Sequence, residues 1–303
     1  MCDDITESEN ELYLKRRALG LGAGATVATL LAGCKTSAAP EPAGTVGAAP
    51  AAAETMSGTT RHRRVSITTP DGEAEGFFVA PSEGKHPAVL IWPDVAGLRP
   101  AFEAMATRLA EAGYAVLAVN QYYRSSELPI FERFDDWMTE EGKAKTQPMF
   151  GDLSSAGIAA DGAAFVDWLD QQAEVDTARK IGTTGYCMGG PFTVRTAAAA
   201  PDRVGLLGSF HGGRLVTDEP DSPHALFATM QAAALICVAQ NDDARAPATK
   251  TTLKSAADAA GRAVEIEVYP AQHGWCVPDS PVYDEAQAER AWSRLLANLE
   301  QHL

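Results

Sequence analysis

Beyond residue 60 the chain alternates apolar runs of strand length with longer segments of helical spacing, and few folds accept that alternation. The runs lie at 88–92, 115–119, 181–185, 205–210, 234–239 and 264–269. Several lack polar alternation, which marks strands covered on both faces. Helix-length segments fall between them, at about 101–112, 153–172, 189–200, 247–260 and 281–299. In the second of these, Leu153, Ile158, Phe165, Val166 and Leu169 sit close to helical spacing, and Trp168 widens the face. Strand, helix, strand, repeated, predicts an α/β class with a mainly parallel central sheet and helices on both faces. Ahead of it, 64–69 and 75–80 flank Pro70-Asp71-Gly72 and read as an antiparallel hairpin. One domain over 61–303 is expected.

The first sixty residues have a different character. Lys15, Arg16 and Arg17 precede an apolar, small-residue run over 18–32 that ends in Leu31-Ala32-Gly33-Cys34. A basic stretch, an apolar stretch and small residues before a cut make an export signal over 1–33. Leu-Ala-Gly-Cys resembles the bacterial lipobox, whose cysteine is lipidated, and the arginine pair resembles a twin-arginine signal. Export to the periplasm or cell envelope is expected, with membrane contact only through a lipid anchor on Cys34. Residues 34–60 are mostly Ala, Pro, Gly, Ser and Thr, too poor in apolar surface to offset ordering entropy, and read as a tether.

Hydrophobic residues make up 46% of the 303, enough for a large core. Lys and Arg number 25 against 40 Asp and Glu, a net charge of −15 that argues against a nucleic-acid partner. The five cysteines, at 2, 34, 187, 237 and 276, make no disulfide framework in a chain this long, although an exported protein could join Cys237 to Cys276. Otherwise Cys237 reads as a buried small hydrophobe in mid-strand. No zinc-ligand spacing, phosphate loop or dinucleotide fingerprint occurs, so neither a metal nor a cofactor is expected.

Cys187 stands apart. Gly185-Tyr186-Cys187-Met188-Gly189-Gly190 closes a short strand and precedes a helix-compatible stretch. This is the G-x-nucleophile-x-G turn, with cysteine in the nucleophile's place. Glycines are needed there because side chains two residues either side of a sharply turned nucleophile would collide. The following helix brings amide N–H groups and a positive dipole end, which favour a thiolate and a developing oxyanion. A nucleophile needs a base and a group to orient it. Gln240-Asn241-Asp242-Asp243 follows the strand at 234–239, and Gln272-His273-Gly274-Trp275 follows the strand at 264–269. That is the order nucleophile, acid, histidine, each just past a strand's C-terminal end. Asp243 remains an alternative acid, and His211, which also follows an apolar strand, an alternative base.

At these residues the sequence resembles the dienelactone hydrolase family, a branch of the α/β-hydrolase fold with a cysteine nucleophile, over essentially all of 61–303. Trp92-Pro93-Asp94-Val95-Ala96-Gly97-Leu98, Tyr122-Tyr123-Arg124 and Gly151-Asp152-Leu153 carry the resemblance further. It implies Cys187 as nucleophile, Asp242 as acid and His273 as base, with the Val95 and Met188 N–H groups as oxyanion hole. It also implies Arg124 as a carboxylate-binding residue and Asp94 as a substrate-side residue whose carboxylate helps control the cysteine's protonation, with no cofactor. Two departures stand out. Asp94 is one methylene shorter than the family's glutamate, and Val277 occupies the place of a second arginine. The expected substrate is a small ester or lactone, bulkier or less charged than a dienelactone, cleaved through a thiol ester. The other readings are an envelope peptidase or bulky-ester esterase on the same scaffold, and a lipid-anchored binding protein without catalysis.

Overall fold

The computed structural model describes residues 9–15 and 55–303. Of the stretch read as an export signal only residues 9–15 are described; the rest of it, Cys34 and the tether up to residue 54 lie outside the described residues. Among those residues nine strands make one sheet: β1 Thr55–Ser57, β2 Thr60–Thr69, β3 Gly72–Pro81, β4 Ala88–Trp92, β5 Ala115–Val119, β6 Ile181–Tyr186, β7 Val204–Phe210, β8 Ala233–Ala239 and β9 Val264–Tyr269. Their spatial order is β1-β2-β3-β5-β4-β6-β7-β8-β9. Pairing is antiparallel from β1 to β5 and parallel from β5 onward. The helices are α1 Pro100–Glu111, α2 Phe134–Met138, α3 Glu140–Thr146, α4 Ser155–Asp170, α5 Gly189–Ala199, α6 Gln240–Arg245, α7 Thr249–Ala259 and α8 Glu285–His302.

The apolar strand runs fill two cores, one on each face of the sheet. In β4, Leu90 and Trp92 join Phe165, Val194 and Leu253, from α4, α5 and α7. Val89 and Ile91, pointing the other way, join Phe102 and Leu109 of α1 and Leu295 of α8. Successive side chains of a strand point to opposite faces, so a strand between two helical layers must be apolar throughout.

Pairing begins earlier than composition indicates. Thr55 faces His62 and Ser57 faces Thr60, so the end of the stretch read as tether belongs to the sheet. An added edge strand needs only backbone donors and acceptors, and its side chains carry no apolar signature. The last helix, expected from 281, starts at Glu285. Turns with Ser280 N bonded to Val277 O and Tyr283 N to Ser280 O hold the chain until Asp284 caps the helix, accepting from Gln287 N at 3.1 Å.

The chemistry-bearing side chains gather along one edge of this sheet. Asp94 follows β4, Cys187 follows β6, His211 follows β7, Asp242 lies in α6 just after β8, and His273 follows β9. This is the C-terminal edge of the parallel strands, where open α/β sheets bind ligands.

Candidate active site

Cys187 has φ of 52°, in the left-handed region that costs a non-glycine residue energy. Its N–H donates to Phe210 O at 3.1 Å and its carbonyl accepts from Gly190 N at 3.1 Å, so strand and helix together hold the turn. The flanking glycines are a matter of space. A Cβ on Gly185 would lie 2.0 Å from Gly189 O, and one on Gly189 would lie 2.3 Å from Trp92 O. Backbone atoms cannot yield as a side-chain tip can. Gly189→Ala is therefore expected to destabilise the fold by about 3 kcal/mol, which calorimetry or thermal denaturation would read as a Tm lowered by roughly 6–12 °C.

His273 is buried, and its Nδ1 lies 2.7 Å from Asp242 Oδ2. A carboxylate only accepts, so Nδ1 carries the hydrogen and Nε2 is left facing the Cys187 side. The His273 N–H donates to Asn241 Oδ1 at 2.9 Å, which ties His273 to the helix that carries Asp242. Burial alone would lower the imidazole's pKa. The charges of Asp242 and the Cys187 sulfur outweigh it, and the pKa is pushed up to about 10. Asp243, the neighbouring carboxylate, turns away to an ion pair with Lys250. Asp242 and Asp243, at consecutive positions of α6, thus face different ways.

His211 is fully buried against His273 and Trp275, with ring centroids at 4.8 and 5.2 Å. Burial first, and the charge of His273 second, hold its pKa well below the ordinary value, so it is neutral. It packs the edge of the base and makes no ion pair with a carboxylate among the described residues.

In the loop after β4, the Asp94 carbonyl accepts from Gln121 Nε2 at 2.7 Å and from Gly97 N at 3.0 Å. Across a planar trans peptide the Val95 N–H points opposite to that carbonyl. Tyr122 Oη reaches Val95 O at 2.9 Å and Met188 Sδ at 3.3 Å, joining the two residues expected to bind an oxyanion. The Asp94 side chain is buried and paired to Arg99 at 2.7 and 2.9 Å.

Arg124 is placed elsewhere. It donates to Asp71 at 2.7 and 3.0 Å and to Asp161 at 2.7 and 2.8 Å, joining the β2–β3 hairpin to α4. It is not among the residues that wall the cavity containing Cys187.

That cavity holds about 40 Å³ of solvent space. One wall is apolar: Phe134, Trp137 and Met138 of α2, with Val277 opposite. The neighbourhood of α2 was not anticipated from sequence. Five residues are too few for helical periodicity, and Phe134-Asp135-Asp136-Trp137-Met138 has only its aromatic pair as a signal. A second wall comes from the helical segment at 9–15, through Asn10, Glu11 and Leu14. Asn10 Nδ2 donates to His273 O at 2.9 Å, and Glu9 accepts from Arg245 at 2.7 Å and Asn241 at 3.2 Å.

Cys187, Cys237 and Cys276 are free thiols, so no Cys237–Cys276 bridge is present. Burial pushes the Cys237 thiol up to about 12, as befits an inert core residue. Among the described residues no three His, Cys, Asp or Glu side chains are grouped to hold a metal ion.

Residues 74–303 match the sequence profile of the dienelactone hydrolase family. A protein of Methylorubrum extorquens, named provisionally as a carboxymethylenebutenolidase, is 29% identical over 238 residues, covering 76% of this chain and 78% of its own length. An Escherichia coli K12 protein with the same provisional name is 24% identical over 226 residues, covering 73% and 79%. Among solved structures, a dienelactone hydrolase-like promiscuous phosphotriesterase from metagenomic libraries superposes with a TM-score of 0.66 at 22% identity. It covers 81% of this chain and 99% of that one. At that identity the superposition speaks for the fold alone.

Proposed function

The chain belongs to the dienelactone hydrolase family, and from that premise we propose that it hydrolyses an ester or lactone uncharged near the scissile bond, through a Cys187 thiol ester. The observation that carries this reading is the 2.7 Å contact of Asp242 with Nδ1 of His273, a residue that lines one cavity together with the strained Cys187.

The chemistry follows from those positions. A raised imidazole pKa means that His273 keeps a proton while Cys187 is the thiolate, an ion pair ready at neutral pH. The sulfur attacks the carbonyl carbon, and the oxygen's charge is received by the Val95 N–H from the loop after β4 and the Met188 N–H at the start of α5. As the C–O bond breaks, the imidazolium gives its Nε2 proton to the departing alkoxide. Neutral His273 then takes a proton from water, whose oxygen attacks the thiol ester. The acid leaves, and the ion pair returns.

Charge sets the substrate class. Arg124 is committed to Asp71 and Asp161, and Val277 offers no charge. Asp94 is already paired with Arg99. A substrate carboxylate held against Phe134, Trp137 and Val277 would be desolvated without a partner, at a cost of at least about 1.4 kcal/mol, or tenfold. Steady-state kinetics on p-nitrophenyl esters of equal chain length, one ending in methyl and one in a free carboxylate, test this. A kcat/KM at least about tenfold higher for the methyl-ended ester is expected. Preference for the free acid would reverse the assignment of substrate class, and turnover of neither ester nor dienelactone would remove the hydrolase reading.

A further inference from the structure

Beside the nucleophile turn lies a second cavity, of about 240 Å³, with no role in the mechanism above. It follows one face of α5. Met188, Phe192 and Arg195 all wall it, at the spacing of three and four residues that brings side chains together on a helix. At 1.5 Å per residue, the path from Met188 to Arg195 leads about 10 Å away from the oxyanion turn. Leu153 and Ile158, just ahead of α4 and inside it, make part of the remaining wall apolar.

The face ends in a charge. The Arg195 side chain is only 13% exposed, and its ion pair among the described residues, with Asp221, is 3.4 Å long. A charge-assisted hydrogen bond is 2.7–2.9 Å. Asp221 is itself half exposed and accepts from Ser155. Burial pulls the Arg195 pKa below the ordinary arginine value, and Asp221 opposes that only in part. A fork of five donors is thus desolvated against one loosely held partner. Arg214 walls the same cavity, is exposed, and has φ of 56°. Gly212 and Gly213 precede it, and a third glycine would bear that conformation at less cost, so the strain is carried for a cationic side chain. Glu219 is the other charged group of the wall.

We propose that this cavity receives the acyl arm of the substrate, an apolar chain ending in a carboxylate that Arg195 takes in place of Asp221. The inference rests on the hydrolase reading and adds to it the far end of the substrate. The carbonyl oxygen held at the Met188 N–H belongs to the acyl part, so it is this arm, and not the alcohol, that is led along α5. Carbon–carbon bonds of about 1.5 Å at near-tetrahedral angles need about eight methylenes to reach from Met188 to Arg195. Chain length then decides what a charged end meets. On a short chain it stays beside Phe134, Trp137 and Val277, which offer it nothing. On a long one it meets a guanidinium whose planar fork matches a carboxylate.

The test is steady-state kinetics of the full chain on four p-nitrophenyl esters: the half-esters of succinate and sebacate, and the methyl-ended butyrate and decanoate of matching lengths. The roughly tenfold disadvantage of a charged end is expected for succinate and should vanish for sebacate. Arg195→Gln is expected to lower kcat/KM for the sebacate half-ester by about tenfold, and to leave decanoate and butyrate within about twofold. Asp221→Asn, which removes the competing carboxylate at an exposed position, should raise kcat/KM for the sebacate half-ester alone, by about threefold. Equal losses for sebacate and decanoate in Arg195→Gln would overturn the proposal, since a merely structural arginine behaves that way. So would a sebacate half-ester indifferent to both substitutions. Leu153→Trp tests the cavity even where Arg195→Gln does not fold: it should slow both long esters and spare butyrate, and long esters left unaffected would also overturn the proposal. Titration calorimetry of monomethyl sebacate on Cys187→Ala reads the site without turnover. Binding that Arg195→Gln weakens, in a protein that hydrolyses no ester, would keep this site and end the hydrolase reading, and turnover without such binding would do the reverse.

Discussion

With Cys187 changed to alanine, kcat/KM for ester hydrolysis is expected to fall by about 10,000-fold or more, to the level that an oxyanion site and binding alone sustain. The loss is so large because each covalent step depends on the sulfur. Without it, water must attack the ester directly, and the imidazole has no thiolate to pair with. The substitution itself is mild for the fold. Alanine removes one buried atom and keeps φ near 52°, a strain that cysteine already bears. Circular dichroism and the melting transition of the variant should therefore resemble wild type while hydrolysis is lost. A variant that kept more than about a tenth of wild-type turnover would exclude Cys187 as nucleophile.

The second large effect separates two adjacent carboxylates. Asp242→Asn is expected to lower kcat by about 1,000-fold, because an amide NH₂ can face His273 Nδ1 only if the imidazole adopts the tautomer with hydrogen on Nε2. That tautomer cannot receive the sulfur's proton. Asp243→Asn should leave kcat within about twofold, since its carboxylate is spent on Lys250 at the surface. The pair is measured side by side with one substrate under saturating conditions. Equal effects at the two positions would mean that α6 presents its acid differently during turnover.

Much of this site can be read along the chain, and the residues explain why. The strands β4 and β5 coincide with the apolar runs at 88–92 and 115–119, because burial between two helical layers leaves a composition that nothing else requires. The edge strand β9 shows itself differently, by Val264, Ile266 and Val268 alternating with Glu265 and Glu267. Cys187 was visible through its glycines, which form a local pattern even though Gly189 makes room for Trp92 O from across the fold. Side-chain pairs made across the fold leave no such trace. Arg99 meets Asp279, 180 positions later, and nothing local to either announces the pair. Arg124 was legible as a cation after a strand. Its partners Asp71 and Asp161 come from a hairpin and a helix whose packing only the folded chain defines. The choice between Asp242 and Asp243 required the phase of α6, a six-residue helix with no apolar face to set it.

The segment at 9–15 closes one side of the cavity beside Cys187. It lies upstream of Cys34, in the part of the chain read as removed on export. Asn10 donates to the His273 carbonyl, Glu9 engages the helix that carries Asp242, and Asn10, Glu11 and Leu14 wall the space beside Cys187. Arg245 meets Glu9 of the segment at 2.7 Å and Asp242 at 3.7 Å, so one guanidinium lies between the two. If the segment is cut away on export, as its sequence leads us to propose, precursor and mature chain would share Cys187, Asp242 and His273 and differ in the wall beside them. Rates measured on one would then not describe the other.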